Sequence, residues 1–116
     1  MDSEQKKYSI GFRVWIKEEN GHYLGRGRIT LLEQIKTNGS ITKAAKAMQM
    51  SYRQAWQMVE DMNKLSNNIL VEKILGGKGG GGAKLTKAGE EAIEIFYLLE
   101  EKIKNYTEKL SKEINL

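Results

Sequence analysis

The chain has 116 residues, 40% hydrophobic and 29% charged, the size of one domain that can bury about two thirds of its unfolded surface without covalent staples. The absence of cysteine excludes disulfide scaffolds, thiolate metal sites and a cysteine nucleophile, and one histidine, His22, cannot furnish a His-rich metal site. The N-terminus from Met1 to Lys7 is polar, unlike a secretory signal, and the longest uncharged apolar run, Ile95 to Leu99, is far short of the roughly 20 residues of a membrane span. A soluble cytoplasmic protein with no membrane partner, metal or cofactor is expected.

The charge is unevenly placed. Residues 1–25 balance four cations against four anions. Residues 26–87 carry eleven Lys and Arg against four Asp and Glu, net +7, and residues 88–116 carry four against seven, net −3. A basic middle of this kind fits a polyanionic partner. The same divisions organise the fold: an N-terminal β-hairpin (1–25) packed on the domain, a central unit (26–87) and a C-terminal helix (88–116), forming one structural domain overall.

Tyr8, Ile10, Phe12, Val14 and Ile16 alternate with Ser9, Gly11, Arg13 and Trp15, the period-two pattern of a half-buried strand. Asn20-Gly21 suits a tight turn and His22-Tyr23-Leu24 a returning strand. From Gly27 the period becomes helical through Ile29, Leu32 and Ile35, with Lys36 past the apolar edge, and Asn38-Gly39 is a left-handed C-cap signal. Ser40 to Met48 reads as a short helix whose hydroxyls cap its start and whose Ala44 and Ala45 admit a close neighbour. After Gln49-Met50, Ser51 caps a third helix over Tyr52 to Ser66 with Ala55, Val59, Met62 and Leu65 inward. Ile69 to Leu75 and Ala83 to Leu85 read as strands around the glycine-rich stretch Gly76 to Gly82. Thr86 caps a long helix from about Lys87 to Leu110.

Two short helices, a tight turn, then strand, flexible loop and strand is the order of a winged helix-turn-helix. The predicted class is therefore α+β and mostly helical: a winged helix-turn-helix with an N-terminal β-hairpin and a long C-terminal dimerisation helix. If Ile41, Met48, Met50, Ala55, Val59 and Met62 form the shared core, the third helix presents Ser51, Tyr52, Arg53, Trp56 and Gln57, with Thr42 beside them. Arginine can bond guanine O6 and N7 and glutamine adenine N6 and N7, each good pair discriminating by about 1–3 kcal/mol, while a capped helix start favours phosphate. Tyr52 and Trp56 can instead pack inward on the hairpin, and that alternative stays open here.

Gly77, Gly79 and Gly82 satisfy G-x-G-x-x-G, but no βαβ unit surrounds them, and Lys78 is followed by glycine rather than the Ser or Thr of a phosphate-binding loop. A wing tip explains the composition better: Gly79 and Gly80 let the backbone approach phosphates while Lys78 and Lys84 add charge. A plain hairpin loop is the alternative. The carboxylates Glu90, Glu91 and Glu94 face outward from a helix and Glu60-Asp61 diverge, so no catalytic residues are expected and the chain is not expected to be an enzyme. Ala92, Phe96, Leu99, Ile103, Tyr106 and Leu110 are spaced 4, 3, 4, 3, 4, a heptad seam for pairing with a second copy. A homodimer would place two reading helices about 34 Å apart, or a multiple, on an inverted-repeat duplex. A winged-helix protein-interaction module without specific DNA binding is the rival reading.

The motifs Gly39-Ser40-Ile41, Ala44-Ala45-Lys46, Ser51-Tyr52-Arg53, Ala55-Trp56, Met62-Asn63, Leu70-Val71-Glu72, Gly76 to Ala83 and Leu85-Thr86 closely resemble the DNA-binding domain of the ModE-type molybdate-responsive transcriptional regulators, related to the LysR-type winged helix. The likeness runs over about residues 10 to 105. It implies a dimer that reads double-stranded operator DNA with the helix starting at Ser51, touches the backbone with the wing and pairs through the long helix. Full-length members carry C-terminal oxyanion-binding domains. The sequence ends at Leu116 without them, so molybdate binding is not expected, and molybdate transport genes are targets by analogy only.

Overall fold

A computed structural model of the chain describes residues 5–77 and 80–116. In chain order it contains β1 (Trp15–Glu18), β2 (Gly21–Gly25), α1 (Arg26–Asn38), α2 (Ile41–Ala47), α3 (Tyr52–Leu65), β3 (Val71–Gly77), β4 (Gly80–Leu85) and α4 (Lys87–Ser111). The two antiparallel pairs, β1–β2 and β3–β4, are separate sheets. This is the winged helix-turn-helix order expected from the sequence.

The helix boundaries follow local chemistry. Gly39 adopts φ 74° and its N–H donates to the Ile35 carbonyl, ending α1 with a left-handed cap. Ser40, Ser51 and Thr86 each accept a backbone N–H three residues on, from Lys43, Gln54 and Gly89, at 3.0, 3.0 and 3.1 Å. Such caps typically contribute about 1 kcal/mol each. Ile29, Leu31, Leu32 and Ile35 of α1 are fully buried, and Ala55, Val59 and Met62 of α3 share their core with no exposed surface. Leu70, Val71 and Ala83 close the core from the wing, and Phe96 closes it from α4.

The N-terminal strand is shorter than its alternation predicts. Regular pairing begins only at Trp15, because β2 is five residues long and opens directly into α1, leaving no partner backbone for Tyr8 to Val14. That segment lies by the far end of α4 instead: the Ile10 N–H donates to Ser111 Oγ at 2.9 Å, and Phe12 lines a cleft with Thr107 and Glu108. The wing strands, by contrast, run further into the glycines than expected, to Gly77 and from Gly80.

The heptad seam on α4 also divides. Ala92 and Phe96 belong to the core of this single chain, at 7% and 0% exposure, and are not available to a second copy. The apolar surface of α4 that meets solvent comprises Leu99, Ile103 and Tyr106 from the seam together with Ile95 and Leu98 outside it, while Leu110 is half-buried. Heptad spacing alone cannot separate the two uses, since the same stripe that packs on α1 continues past it. Arg26–Glu100 at 2.7 Å, Lys36–Glu90 at 2.6 Å and the Tyr97 hydroxyl donating to Glu33 at 3.0 Å tie α4 to α1.

Candidate nucleic-acid interface

The corner between α2 and α3 is built on small residues. Ala44, Ala45 and Ala55 are buried, so the two helices approach closely. Between them Gln49 takes φ 57°, and the Met50 N–H donates back to the Ala45 carbonyl at 3.0 Å. The chain therefore reaches Ser51 in a fixed direction.

With Ala55, Val59 and Met62 inward, the helical period puts Arg53 and Gln57 on the opposite side of α3. Both are exposed, as are Thr42, Ser51 and Tyr52, the last at 51%. Ser51 spends its acceptor on the Gln54 N–H but keeps its own hydroxyl proton to donate. Gln57 donates from Nε2 to Asp61 Oδ1 at 2.9 Å, and Asp61 stands 3.6 Å from the Arg28 guanidinium. This holds the carboxamide while leaving Oε1 and a second N–H free, the pair an adenine edge requires.

Trp56 resolves differently from its neighbours. It is half-buried, and its ring lies under the Lys73 ammonium of β3 at 4.5 Å from the centroid. Lys73 also pairs with Glu60. The indole packs toward the wing and joins α3 to β3. Asn63 adds a second tie: its Oδ1 accepts the Leu70 and Val71 N–H groups at 2.8 and 3.2 Å, and its Nδ2 donates to the Val71 carbonyl at 3.0 Å. Nothing local in the sequence gives Asn63 this role, because its partners come from a strand not yet formed when α3 is read alone.

The wing register pairs Glu72 with Lys84 and Ile74 with Gly82. The Ala83 N–H donates to the Gly39 carbonyl at 2.9 Å, fixing β4 against the corner of α1 and α2. Gly80 opens β4. Lys78 and Gly79 lie outside the described residues. Lys84 is exposed and stands 3.9 Å from Glu72, a contact worth little in water.

Ion pairing reveals where the basic middle is unspent. Among the described residues Arg26, Arg28, Lys36, Lys73 and Lys84 each meet a carboxylate. Lys43, Lys46, Arg53, Lys64 and Lys87 form no ion pair, and all five are exposed. Three of these fall on α2 and the first turn of α3. Lys43 and Lys46 are not among the contacts expected from the sequence, although buried Ala44 and Ala45 between them force both outward. No group of three or more His, Cys, Asp or Glu among the described residues is placed to hold a metal ion.

Fold and site together define a winged helix-turn-helix domain with an exposed basic corner at α2 and α3. No protein-family model matches the chain. It is 54% identical over 72 residues to the transcriptional regulator ModE of Yersinia pestis, covering 62% of this chain and 27% of that protein. To the DNA-binding transcriptional dual regulator ModE of Escherichia coli K12 it is 50% identical over 72 residues, covering 62% and 28%. To the molybdenum transport protein ModE of Azotobacter vinelandii it is 36% identical over 103 residues, covering 89% and 38%. The chain is thus a homologue of the ModE transcriptional regulators, matching their N-terminal region, and it spans about a quarter to two fifths of the length of these relatives. Among solved structures it is similar to the full-length LysR-type regulator LysG of Corynebacterium glutamicum with bound effector Arg, at a TM-score of 0.53 and 25% identity, covering 80% of this chain and 31% of that one. The relatives from Yersinia pestis and Escherichia coli are named as regulators of transcription.

Proposed function

We propose that the chain is a dimeric, sequence-specific DNA-binding regulator of transcription, with α3 entering the major groove from Ser51 and the wing resting on the backbone. One observation carries this reading: the unpaired cations Lys43, Lys46 and Arg53 stand on the same corner as exposed Tyr52 and Gln57, so charge for phosphate and edges for bases are presented together. Thr42, Ser51, Tyr52, Arg53, Gln57, Gly80 and Lys84 are the contacts, with Trp56 setting the wing's position against α3. Lys78 and Gly79 are assigned to the backbone on composition alone.

A second copy is proposed to dock on the exposed α4 residues Ile95, Leu98, Leu99, Ile103 and Tyr106, giving an inverted-repeat site. The cations of the reading face are strung along an open surface, which suits an extended polyanion and not a small oxyanion, so titration with molybdate is expected to release no heat.

Selection of bound duplexes from random-sequence DNA, followed by a salt titration on the selected site, tests the proposal. An inverted repeat and a slope of about −0.9 per phosphate neutralised are expected. Binding no tighter to any sequence than to bulk DNA, or a flat response to salt, would instead identify a protein-interaction module.

A further inference from the structure

Leu75 is 92% exposed, and its neighbour Ile74 is 50% exposed. Two adjacent branched apolar side chains in the open are of no use to the core, which Val71 and Ala83 close from the base of the same hairpin, and on a strand they invite unwanted pairing. The ladder explains how Leu75 comes to stand out. Ile74 pairs with Gly82 and Gly77 with Gly80, so Leu75 and Gly76 together oppose Gly81 alone, the two-against-one arrangement of a β-bulge, which re-aims the side chain it carries. Gly81 is required there: a Cβ on it would lie 2.5 Å from the Ile74 carbonyl oxygen.

The facing strand carries Gly80, Gly81 and Gly82, so this part of the hairpin is little more than backbone. A strand without side chains lets another molecule approach the backbone closely on that side. The hairpin's position is set at the base, where Lys73 lies on Trp56 and Asn63 holds Leu70 and Val71. Tied to α3 at its base, the hairpin is carried to the duplex together with that helix. Lys84, with 65% of its side chain exposed, supplies charge at the rim.

Resting on the DNA-binding reading above, we propose that Leu75 is an apolar wedge that the wing carries into the minor groove, where it enters a base step and kinks the duplex. Leucine is one of the side chains able to unstack a step in this way, and the unstacking is offset by the contacts a bent duplex makes. Pyrimidine–purine steps such as TA open most easily, so one is expected at a fixed offset outside each half-site.

The probe is the duplex selected from random DNA, with 2-aminopurine replacing adenine in turn at the flanking positions. The wild-type chain should raise its fluorescence at one flanking step and bend the duplex in a circular-permutation assay. Leu75→Ala should keep the half-site consensus but lose the preference at the flanking step, bind on the order of tenfold more weakly and abolish both signals. Leu75→Lys should recover affinity through phosphate attraction, steepen the salt dependence and still fail to bend. Leu75→Ala with unchanged affinity and unchanged bending would overturn the inference, as would a change in its sedimenting mass, which would place the side chain against a second copy. Arg53→Ala separates the two levels: if it relaxes the consensus while Leu75→Ala does nothing, only the wedge fails, and if neither alters DNA binding, the DNA-binding reading itself fails.

Discussion

The Lys73 ammonium sits 4.5 Å from the centroid of the Trp56 ring and pairs with Glu60 on the next turn of the same helix, so one wing residue is latched to two residues of α3. An exposed ion pair alone contributes about 0–1 kcal/mol, and a cation over an indole about 0.5–1 kcal/mol more. The latch is therefore weak as a source of stability and useful as a positional device. Lys73→Ala is expected to change the melting temperature little and to lower affinity for the selected duplex several-fold. It should also alter Trp56 emission, followed in a Trp15→Phe background. Emission and affinity both unchanged would show that the wing is held by Asn63 alone.

Reader and clamp should separate on the basic corner. Arg53→Ala is expected to relax preference at one base position, costing about 1–3 kcal/mol there, while Lys43→Ala or Lys46→Ala should weaken binding to every sequence alike and lower the salt slope by about one. Competition binding against single-base variants at two salt concentrations measures both. A uniform loss for Arg53→Ala would move that side chain from the bases to the backbone.

Much of this arrangement is legible in the sequence because helices and their caps are local. Ser40, Ser51, Thr86 and Gly39 each act within four residues of their own position, and all four end or begin a helix as read. What is not legible depends on partners distant in the chain. Tyr8 to Ile16 alternates like a strand, but a strand needs a second backbone, and β2 offers only five residues. Phe96 and Ile103 look alike in a heptad count, although one is fully buried under α1 and the other is 38% exposed. Trp56 depends on Lys73, seventeen positions on and in another element.

Gly89 is a position where size and not flexibility matters. It is buried in the first turn of α4, and a Cβ there would overlap the Leu70 carbonyl, which already accepts the Thr86 N–H at 2.9 Å. Alanine would improve helix propensity by about 1 kcal/mol, but the obstruction is backbone that is itself hydrogen-bonded and cannot swing aside. Gly89→Ala is expected to destabilise by a net of about 1–3 kcal/mol, read by urea denaturation. A gain in stability would mean that the α4 start and β3 separate without cost.

Alkaline pH should loosen the α1–α4 contact. Partial burial, then its hydrogen bond to Glu33, keeps the Tyr97 phenol protonated above its ordinary 10.0. The hydrogen bond and charge of Glu90 likewise hold Lys36 above 10.5. Each group keeps its proton longer in the folded chain than in the unfolded one, so the stabilisation is complete below the unfolded values and is lost as pH rises through the folded ones. Denaturation at a series of pH values should show stability falling above pH 10, less steeply in Tyr97→Phe. Identical profiles for wild type and variant would remove Tyr97 from the account.

The two ends of the α4 stripe should respond differently to the same insult. Phe96 has no exposed surface in the single chain, and Phe96→Glu would bury an unpaired carboxylate as well as leave a void, so it should unfold the domain and not merely separate copies. Ile103 and Tyr106 are 38% and 62% exposed, and Ile103→Glu with Tyr106→Glu should leave the helical signal and the melting of the domain nearly unchanged. If these side chains meet a second copy, the double variant should sediment at half the wild-type mass and bind the selected inverted repeat far more weakly, while keeping affinity for a single half-site. A folded double variant that still sediments with the wild type would move the contact off this stretch of α4, and a folded, monomeric Phe96→Glu would show that Phe96 serves the pair after all.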